Sequence, residues 1–124
     1  MKLSILLTLV GGLLLLGLVG CEKSRADYRD DIAGSVCDQM RDCEAFGPDG
    51  EFADYDDCLT EVKSTYNDMW PADECGGGRI DAQAFEQCKS RAVANACDEN
   101  ILDALSFRLE CGADDVCTAE PKEK

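Results

Sequence analysis

The chain contains no histidine among its 124 residues. A serine or cysteine nucleophile that is activated by a neighbouring histidine is therefore excluded. Paired carboxylates of the glycosidase kind need a substrate cleft, and a domain of this size has little room for one. The serines beyond residue 20 stand in no nucleophile motif; they are Ser24, Ser35, Ser64, Ser90 and Ser106. We therefore expect a protein that is not an enzyme.

Closely spaced cysteine pairs are also missing. The shortest spacings, Cys37 to Cys43 and Cys111 to Cys117, each leave five residues between the two cysteines. Structural zinc sites usually need ligand pairs two to four residues apart, and thioredoxin-like redox sites need a CxxC pair. The acidic stretch 49–57 departs from the ligand order of an EF-hand loop. We therefore expect no metal and no other cofactor.

Cations are scarce, since 12 Lys and Arg residues face 26 Asp and Glu residues, for a net charge of −14. Binding to nucleic acid is disfavoured because phosphate contacts need clustered Lys and Arg. Electrostatic binding to anionic lipid is disfavoured for the same reason. Solubility through self-repulsion is one consequence of so acidic a surface. A basic protein or a small molecule as partner is the alternative that the charge leaves open.

A long hydrophobic run occurs at the N-terminus, over residues 1–20. Its single cation, Lys2, precedes an apolar stretch, and small residues follow before a cysteine. Secretory signal peptides have this three-part design. A retained transmembrane helix is the alternative, because about 20 apolar residues span a bilayer. Four glycines within the run weaken that alternative.

The run ends in Leu18-Val19-Gly20-Cys21, which resembles a bacterial lipoprotein signal. The resemblance implies cleavage between Gly20 and Cys21 and attachment of lipid, palmitate included, to Cys21. The partner expected through that lipid is a membrane of the bacterial cell envelope. Glu22 stands where an aspartate would favour the inner membrane, so the outer membrane is favoured.

Cleavage would leave residues 21–124 with a net charge of −15, because Lys2 is the one charged residue lost. An even number of cysteines in a small exported domain predicts a disulfide framework. The pairing stays open, because eight cysteines allow 105 connectivities. After Cys21 the cysteines are Cys37, Cys43, Cys58, Cys75, Cys88, Cys97, Cys111 and Cys117.

Apolar residues recur at helical spacing, and no run alternates as a strand would. The pattern predicts helices over 26–45, from 54 to 70, after Asp81 and over 99–109, with a glycine-rich loop over 72–79. Asp54 and Asp81 are the expected N-caps, and Pro71 is the expected stop. Cys37 and Cys43 lie about 9 Å apart along one helix, so they cannot pair with each other. Tyr66 and Trp70 are expected at the edge of the core.

The sequence thus predicts an all-α fold, a small disulfide-stapled bundle of about four helices behind a cleaved signal helix. The expected organisation is a signal peptide over 1–20, a lipidated N-terminus with a short tether over 21–25, a helical domain over 26–118 and a disordered tail over 119–124.

Several spacings coincide with those of a known group of proteins. They are the C-x5-C pair from Cys37 to Cys43, the aromatic residue three positions before Cys58, the run from Cys75 to Asp81, Cys88 and the final C-x5-C pair. Over residues 36–117 this pattern resembles small cysteine-rich bacterial lipoproteins, some of which are labelled natural-product-biosynthesis lipoproteins. The resemblance implies eight paired cysteines and no catalytic residues. It also implies a second hypothesis, an accessory protein that binds a secreted small molecule.

Overall fold

The computed structural model describes residues 23–98 and 111–120, and within them it is helical. The helices are α1 (Arg25–Asp42), α2 (Tyr55–Met69), α3 (Ala72–Cys75), α4 (Ala82–Ala94) and α5 (Ala113–Val116). The described residues form no β-strand, and one isolated bridge joins Phe46 to Phe52. The predicted all-α, disulfide-stapled fold is confirmed. The predicted signal, Cys21, the predicted helix over 99–109 and residues 121–124 lie outside the described residues.

Helix α1 begins one residue earlier than the sequence predicts, because Ser24 caps it. The Ser24 hydroxyl accepts a hydrogen bond from the Asp27 backbone at 3.2 Å, and the Asp27 carboxylate accepts one from the Ser24 backbone at 2.9 Å. This reciprocal pair is a capping box, with Asp in place of the usual Glu. Ser24 and Arg25, predicted as part of a tether, therefore belong to the first helix.

The two predicted caps, Asp54 and Asp81, are confirmed. The Asp54 carboxylate accepts from the Asp57 backbone at 2.8 Å and starts α2, and the Asp81 carboxylate accepts from the Ala84 backbone at 2.8 Å and starts α4. Each cap satisfies a backbone N–H that has no partner within its helix.

The prediction of a loop over 72–79 is wrong for Ala72–Cys75, which form helix α3. Pro71 ends α2 as expected, but with an extended backbone (φ −64°, ψ 149°) it is also the N-cap residue of the single turn of α3. The chain turns only after that, where Gly77 and Gly78 have φ of 66° and 81°. Glycine adopts this left-handed region without the steric cost that other residues meet.

Contacts between the helices give their directions. At the start of α1, the Arg25 guanidinium donates to the Trp70 carbonyl at the end of α2, at 2.8 Å. At the end of α1, the Asp38 carboxylate accepts from the Tyr55 hydroxyl at the start of α2, at 2.8 Å. Helix α2 is therefore antiparallel to α1. Helix α4 runs parallel to α1: the Tyr28 ring packs on Phe85 at 4.6 Å between centroids near both helix starts, and the Cys43–Cys97 bridge joins the segments just after both helix ends.

This arrangement gives the bundle two ends. The proximal end comprises residues 23–31, 66–70 and 80–86, and the distal end comprises residues 38–57 and 93–98. The distal end carries nine Asp and Glu residues and one cation, Arg41. The proximal end carries three cations, Lys23, Arg25 and Arg29.

Trp70 and Tyr66 lie inside the core, not at its edge as the sequence predicts. Trp70, Tyr66 and Phe85 are all 0% exposed. The Trp70 ring is 4.7 Å from Tyr66 and 6.0 Å from Phe85 between centroids. Its indole N–H donates to the Cys111 carbonyl at 2.8 Å, which satisfies the polar group of a buried indole. Burial also raises the pKa of the Tyr66 phenol above its usual range.

Candidate functional site

The eight cysteines after Cys21 form four disulfides, as the sequence predicts, and the structure supplies their pairing. The bridges are Cys37–Cys58, Cys43–Cys97, Cys75–Cys117 and Cys88–Cys111. The prediction that Cys37 and Cys43 reach different partners is confirmed, since one joins α1 to α2 and the other joins α1 to the segment after α4.

Two of the bridges attach the C-terminal segment to the rest of the domain. Cys88–Cys111 and Cys75–Cys117 tie the C-terminal segment to α4 and α3. The same segment is bonded to the start of α4, where the Val116 carbonyl accepts from the Asp81 backbone at 2.8 Å. Ala119, predicted as part of the tail, donates its backbone N–H to the Arg79 carbonyl at 2.9 Å.

At the proximal end, Asp31 lies between two lysines. Its carboxylate is 2.8 Å from the Lys23 ammonium and 3.4 Å from the Lys89 ammonium, and Lys89 also pairs with Glu86 at 3.2 Å. Burial disfavours the ionised form of Asp31, but the Lys23 hydrogen bond and the charge of Lys89 outweigh that effect and lower its pKa. The same hydrogen bond raises the pKa of Lys23. This cluster holds Lys23, the first described residue, on the surface of the domain.

Aromatic rings complete the cluster. The Lys23 ammonium lies 5.4 Å from the centroid of the Tyr28 ring, and the Lys89 ammonium lies 5.3 Å from that of Phe85. Both distances permit a cation–π attraction. Sequence reasoning missed this cluster, because Asp31 and Lys89 are 58 positions apart and no local pattern joins them.

Replacing Asp31 by asparagine should lower the free energy of unfolding at pH 7 by about 1 kcal/mol, the upper part of the range for such ion pairs. Because the pKa of Asp31 is lowered by folding, its carboxylate stabilises the fold above its unfolded pKa of about 3.9, and that contribution disappears as the pH falls through the folded pKa. Urea unfolding at pH 7 and at pH 2 measures the difference between wild type and variant.

Asp30→Asn is the matched control, since the Asp30 side chain is 47% exposed against 26% for Asp31. At pH 7 it should lower the free energy of unfolding by less than Asp31→Asn does. A cost of Asp31→Asn that is equal at pH 7 and pH 2 would contradict a role for the ionised carboxylate.

The distal end contains a cleft of about 420 Å³. Its lining combines an apolar floor with carboxylates at the rim. Such a lining suits a cationic group on a short apolar stem, because the stem is removed from water while the charge meets carboxylates. The lining residues are Met40, Ala45, Asp49, Gly50, Glu51, Ala96, Cys97 and Asp98.

A second cleft, of about 380 Å³, lies between α1 and α4. Asp38, Asp42 and Glu86 line it together with Lys89. Lys89 already pairs with Asp31 and Glu86, so this cleft presents mixed charge and no surplus of cations.

Among the described carboxylates whose pKa is clearly shifted, none has the raised pKa that a general acid needs. Hydrogen bonds from the backbone and side chain of Ser24 lower the pKa of Asp27, and the pKa of Asp31 is lowered as well. A carboxyl group that donates a proton near neutral pH needs the opposite shift. Among residues 23–98 and 111–120, no group of three His, Cys, Asp or Glu side chains is placed to hold a metal ion.

No helix in the described part of the chain combines the length and the apolar character that crossing a membrane requires.

Comparison with known proteins gives one match. The model of a family of unknown function (DUF6184) matches residues 37–119, the span that contains all eight bridged cysteines. No curated protein and no solved structure matches the chain. The matched family has no described function, so the match does not indicate what either end of the bundle binds.

Proposed function

We propose that this chain, which belongs to the family of unknown function DUF6184, is a lipid-anchored protein of the bacterial cell envelope. Its disulfide-stapled helical domain would act there as a structural or binding module without catalytic activity. The observation that supports this best is that the domain starts at Ser24, three residues after Cys21, the cysteine that ends the lipoprotein-like signal.

The short distance between Cys21 and Ser24 has a mechanical consequence. Three residues reach at most about 10 Å when fully extended. Lipid on Cys21 would therefore hold the proximal end of the bundle at the surface of the bilayer. Lys23 is itself bound to Asp31, which shortens the free segment further.

The charge distribution is compatible with this placement. Helix α1 has 18 residues, so its far end lies about 27 Å from its start at 1.5 Å per residue. The Debye length at physiological ionic strength is about 8 Å, so an anionic lipid surface would exert little repulsion on the distal carboxylates. The acidic end would face away from the membrane, where it is accessible to a partner.

The anchor itself must be strong enough to retain the protein. A single acyl chain gives marginal membrane binding, and stable anchoring needs two or more chains. The lipoprotein-like signal implies that number on Cys21. The four disulfides support export, because such bridges form and persist in oxidising compartments.

The test is the intact mass of the protein purified from membranes, with and without reduction before alkylation. We expect a mass that corresponds to residues 21–124 plus acyl chains, and eight cysteines that become alkylated only after reduction. The control variant Cys21→Ser should retain residues 1–20 and carry no acyl mass. A wild-type protein with an unmodified Cys21 in the membrane fraction would refute the anchor.

A second candidate function is supported by the distal cleft, whose rim carries Asp49, Glu51 and Asp98. It is the binding of a basic protein or a cationic small molecule as an accessory to another envelope process. Pull-down with the membrane-anchored protein at low and high salt tests this function. Recovery of a basic partner that is lost at high salt would support it, and the absence of any charge-dependent partner at low salt would contradict it.

A further inference from the structure

One of the four disulfides lies on the surface of the domain. Cys43 and Cys97 are both exposed. Each of the other three bridges contains at least one cysteine that is no more than 1% exposed. Cys117 is half-buried, so Cys43–Cys97 is the bridge in which both cysteines are exposed, and it is the most accessible of the four to a reagent in solution.

Access decides which disulfide of a folded protein can react. A thiolate must approach one sulfur of the bridge, and the rate depends on that approach as well as on the chemistry of the thiols. Attack on Cys37–Cys58 would require part of the core to open first, because both cysteines are 0% exposed. Attack on Cys43–Cys97 requires no such opening. We propose that the Cys43–Cys97 bridge is a thiol-exchange site, at which a dithiol reduces this disulfide of the folded protein while the other three stay closed.

The surroundings of the two sulfurs differ, and the difference gives the reaction a direction. Each sulfur lies close to a backbone carbonyl oxygen, Met40 at 3.4 Å from Cys43 and Gln39 at 3.5 Å from Cys97. The Cys97 sulfur also has the Gln39 side-chain amide at 3.8 Å, which can donate a weak hydrogen bond to it. A thiolate is stabilised by such a donor, so Cys97 is the better leaving group and Cys43 is the sulfur that is attacked.

The exchange proceeds in two balanced steps. The first thiolate of the dithiol attacks the Cys43 sulfur, the Cys43–Cys97 bond breaks, and Cys97 leaves as a thiolate that takes a proton from water. The second thiolate of the dithiol then attacks its partner sulfur in the mixed disulfide and releases Cys43. The dithiol is oxidised to a disulfide, and the bridge of the protein is reduced by two electrons.

The local charge selects among incoming thiols. Asp42 and Glu44 flank Cys43 in the sequence, and Asp98 follows Cys97. These carboxylates repel an anionic thiol and attract a cationic one, and salt screens both effects. A dithiol whose surface near the reactive sulfur is neutral or basic therefore fits this site.

Opening the bridge would change the distal cleft, because Cys97 is part of its lining. The bridge also adjoins the turn that ends α1. Glu44 has a φ of 57°, in the left-handed region, and its neighbour Ala45 bonds back to the Met40 carbonyl at 2.9 Å. Reduction therefore couples the thiol chemistry to the shape of the cleft.

The experiment uses oxidised protein purified from the cells that express it, with free thiols blocked beforehand. Dithiothreitol is added without denaturant, and samples are alkylated with N-ethylmaleimide over time and mapped by peptide mass spectrometry. We expect Cys43 and Cys97 to be labelled at least ten times faster than the other six cysteines, with the helical circular dichroism signal retained. Labelling of all eight at one rate, or labelling of Cys43 and Cys97 only in denaturant, would overturn the proposal.

Two further arms separate the proposal from general instability. The variant Cys43→Ser with Cys97→Ser should lose the fast phase, while its helical circular dichroism signal is retained and no other pair of cysteines acquires a fast phase of its own. If that variant fails to fold, the proposal is tested on the wild-type protein. Its reaction rates with monothiols of different charge are compared at equal thiolate concentration. Cysteamine should react about 3–10 times faster than 2-mercaptoethanesulfonate at low salt, and the ratio should approach 1 at about 1 M salt. The mixed disulfide should be found on Cys43, and its appearance on Cys97 or a rate independent of charge would count against the site described.

Discussion

The double variant Cys37→Ala with Cys58→Ala should lose about 4–5 kcal/mol of unfolding free energy. Cross-linking two residues separated by 21 positions stabilises a fold by about 3 kcal/mol, because it limits the freedom of the unfolded chain. Both sulfurs are also buried among core residues, so their removal leaves a cavity that adds about 1–2 kcal/mol. Urea unfolding followed by circular dichroism, without reductant, measures the loss.

The matched control is the variant Cys43→Ala with Cys97→Ala. Its sequence separation is 54, so the loop effect alone predicts a loss of about 4 kcal/mol. Both of these cysteines are exposed, so no cavity cost is expected. If the loss for Cys37 and Cys58 were much smaller than the loss for this control, the buried sulfurs would contribute nothing through packing.

The parts of the fold that depend on neighbouring residues could be predicted from the sequence. Asp54 and Asp81 act as caps because each carboxylate meets a backbone N–H three residues away. The impossibility of a Cys37–Cys43 bridge followed from helix geometry in the same way. The capping box at Ser24 was also readable from its local spacing, and it would have placed the start of α1 correctly.

The parts that depend on how helices pack could not be predicted. The partner of Cys43 is 54 residues away, and the partner of Asp31 in the proximal cluster is 58 residues away. Both pairings exist because α4 runs parallel to α1. No local sequence pattern indicates the relative direction of these two helices. The central position of Trp70 has the same origin, since its indole bonds to Cys111 from 41 positions away.

The sequence-based prediction missed the short helix α3 for a different reason. Proline ends a helix that arrives from its N-terminal side, and this rule correctly placed the end of α2. The same residue also suits the N-cap position before a new helix, because the N–H that proline lacks would have no partner within that helix. Pro71 does both in this chain, so a rule that treats proline as a stop missed Ala72–Cys75.

Trp70→Ala should cost about 4 kcal/mol of unfolding free energy, within the range of about 3–5 kcal/mol for removing a buried aromatic side chain. The indole is 0% exposed and fills the space between α2, α4 and the C-terminal segment. Its loss also leaves the Cys111 carbonyl without the hydrogen bond of 2.8 Å, and an unsatisfied buried acceptor is itself destabilising. Circular dichroism follows the urea transition in both proteins, so the loss of tryptophan fluorescence in the variant does not affect the measurement.

Trp70→Phe separates the two causes, because phenylalanine keeps most of the ring contacts and removes the donor. We expect it to cost about 1–3 kcal/mol, the penalty for an unpaired buried polar group. Equal losses in Trp70→Ala and Trp70→Phe would mean that the hydrogen bond to Cys111 outweighs packing at this position. A loss below about 1 kcal/mol in Trp70→Ala would mean that the two disulfides and the backbone hydrogen bonds to Asp81 and Arg79 hold the C-terminal segment without help from Trp70.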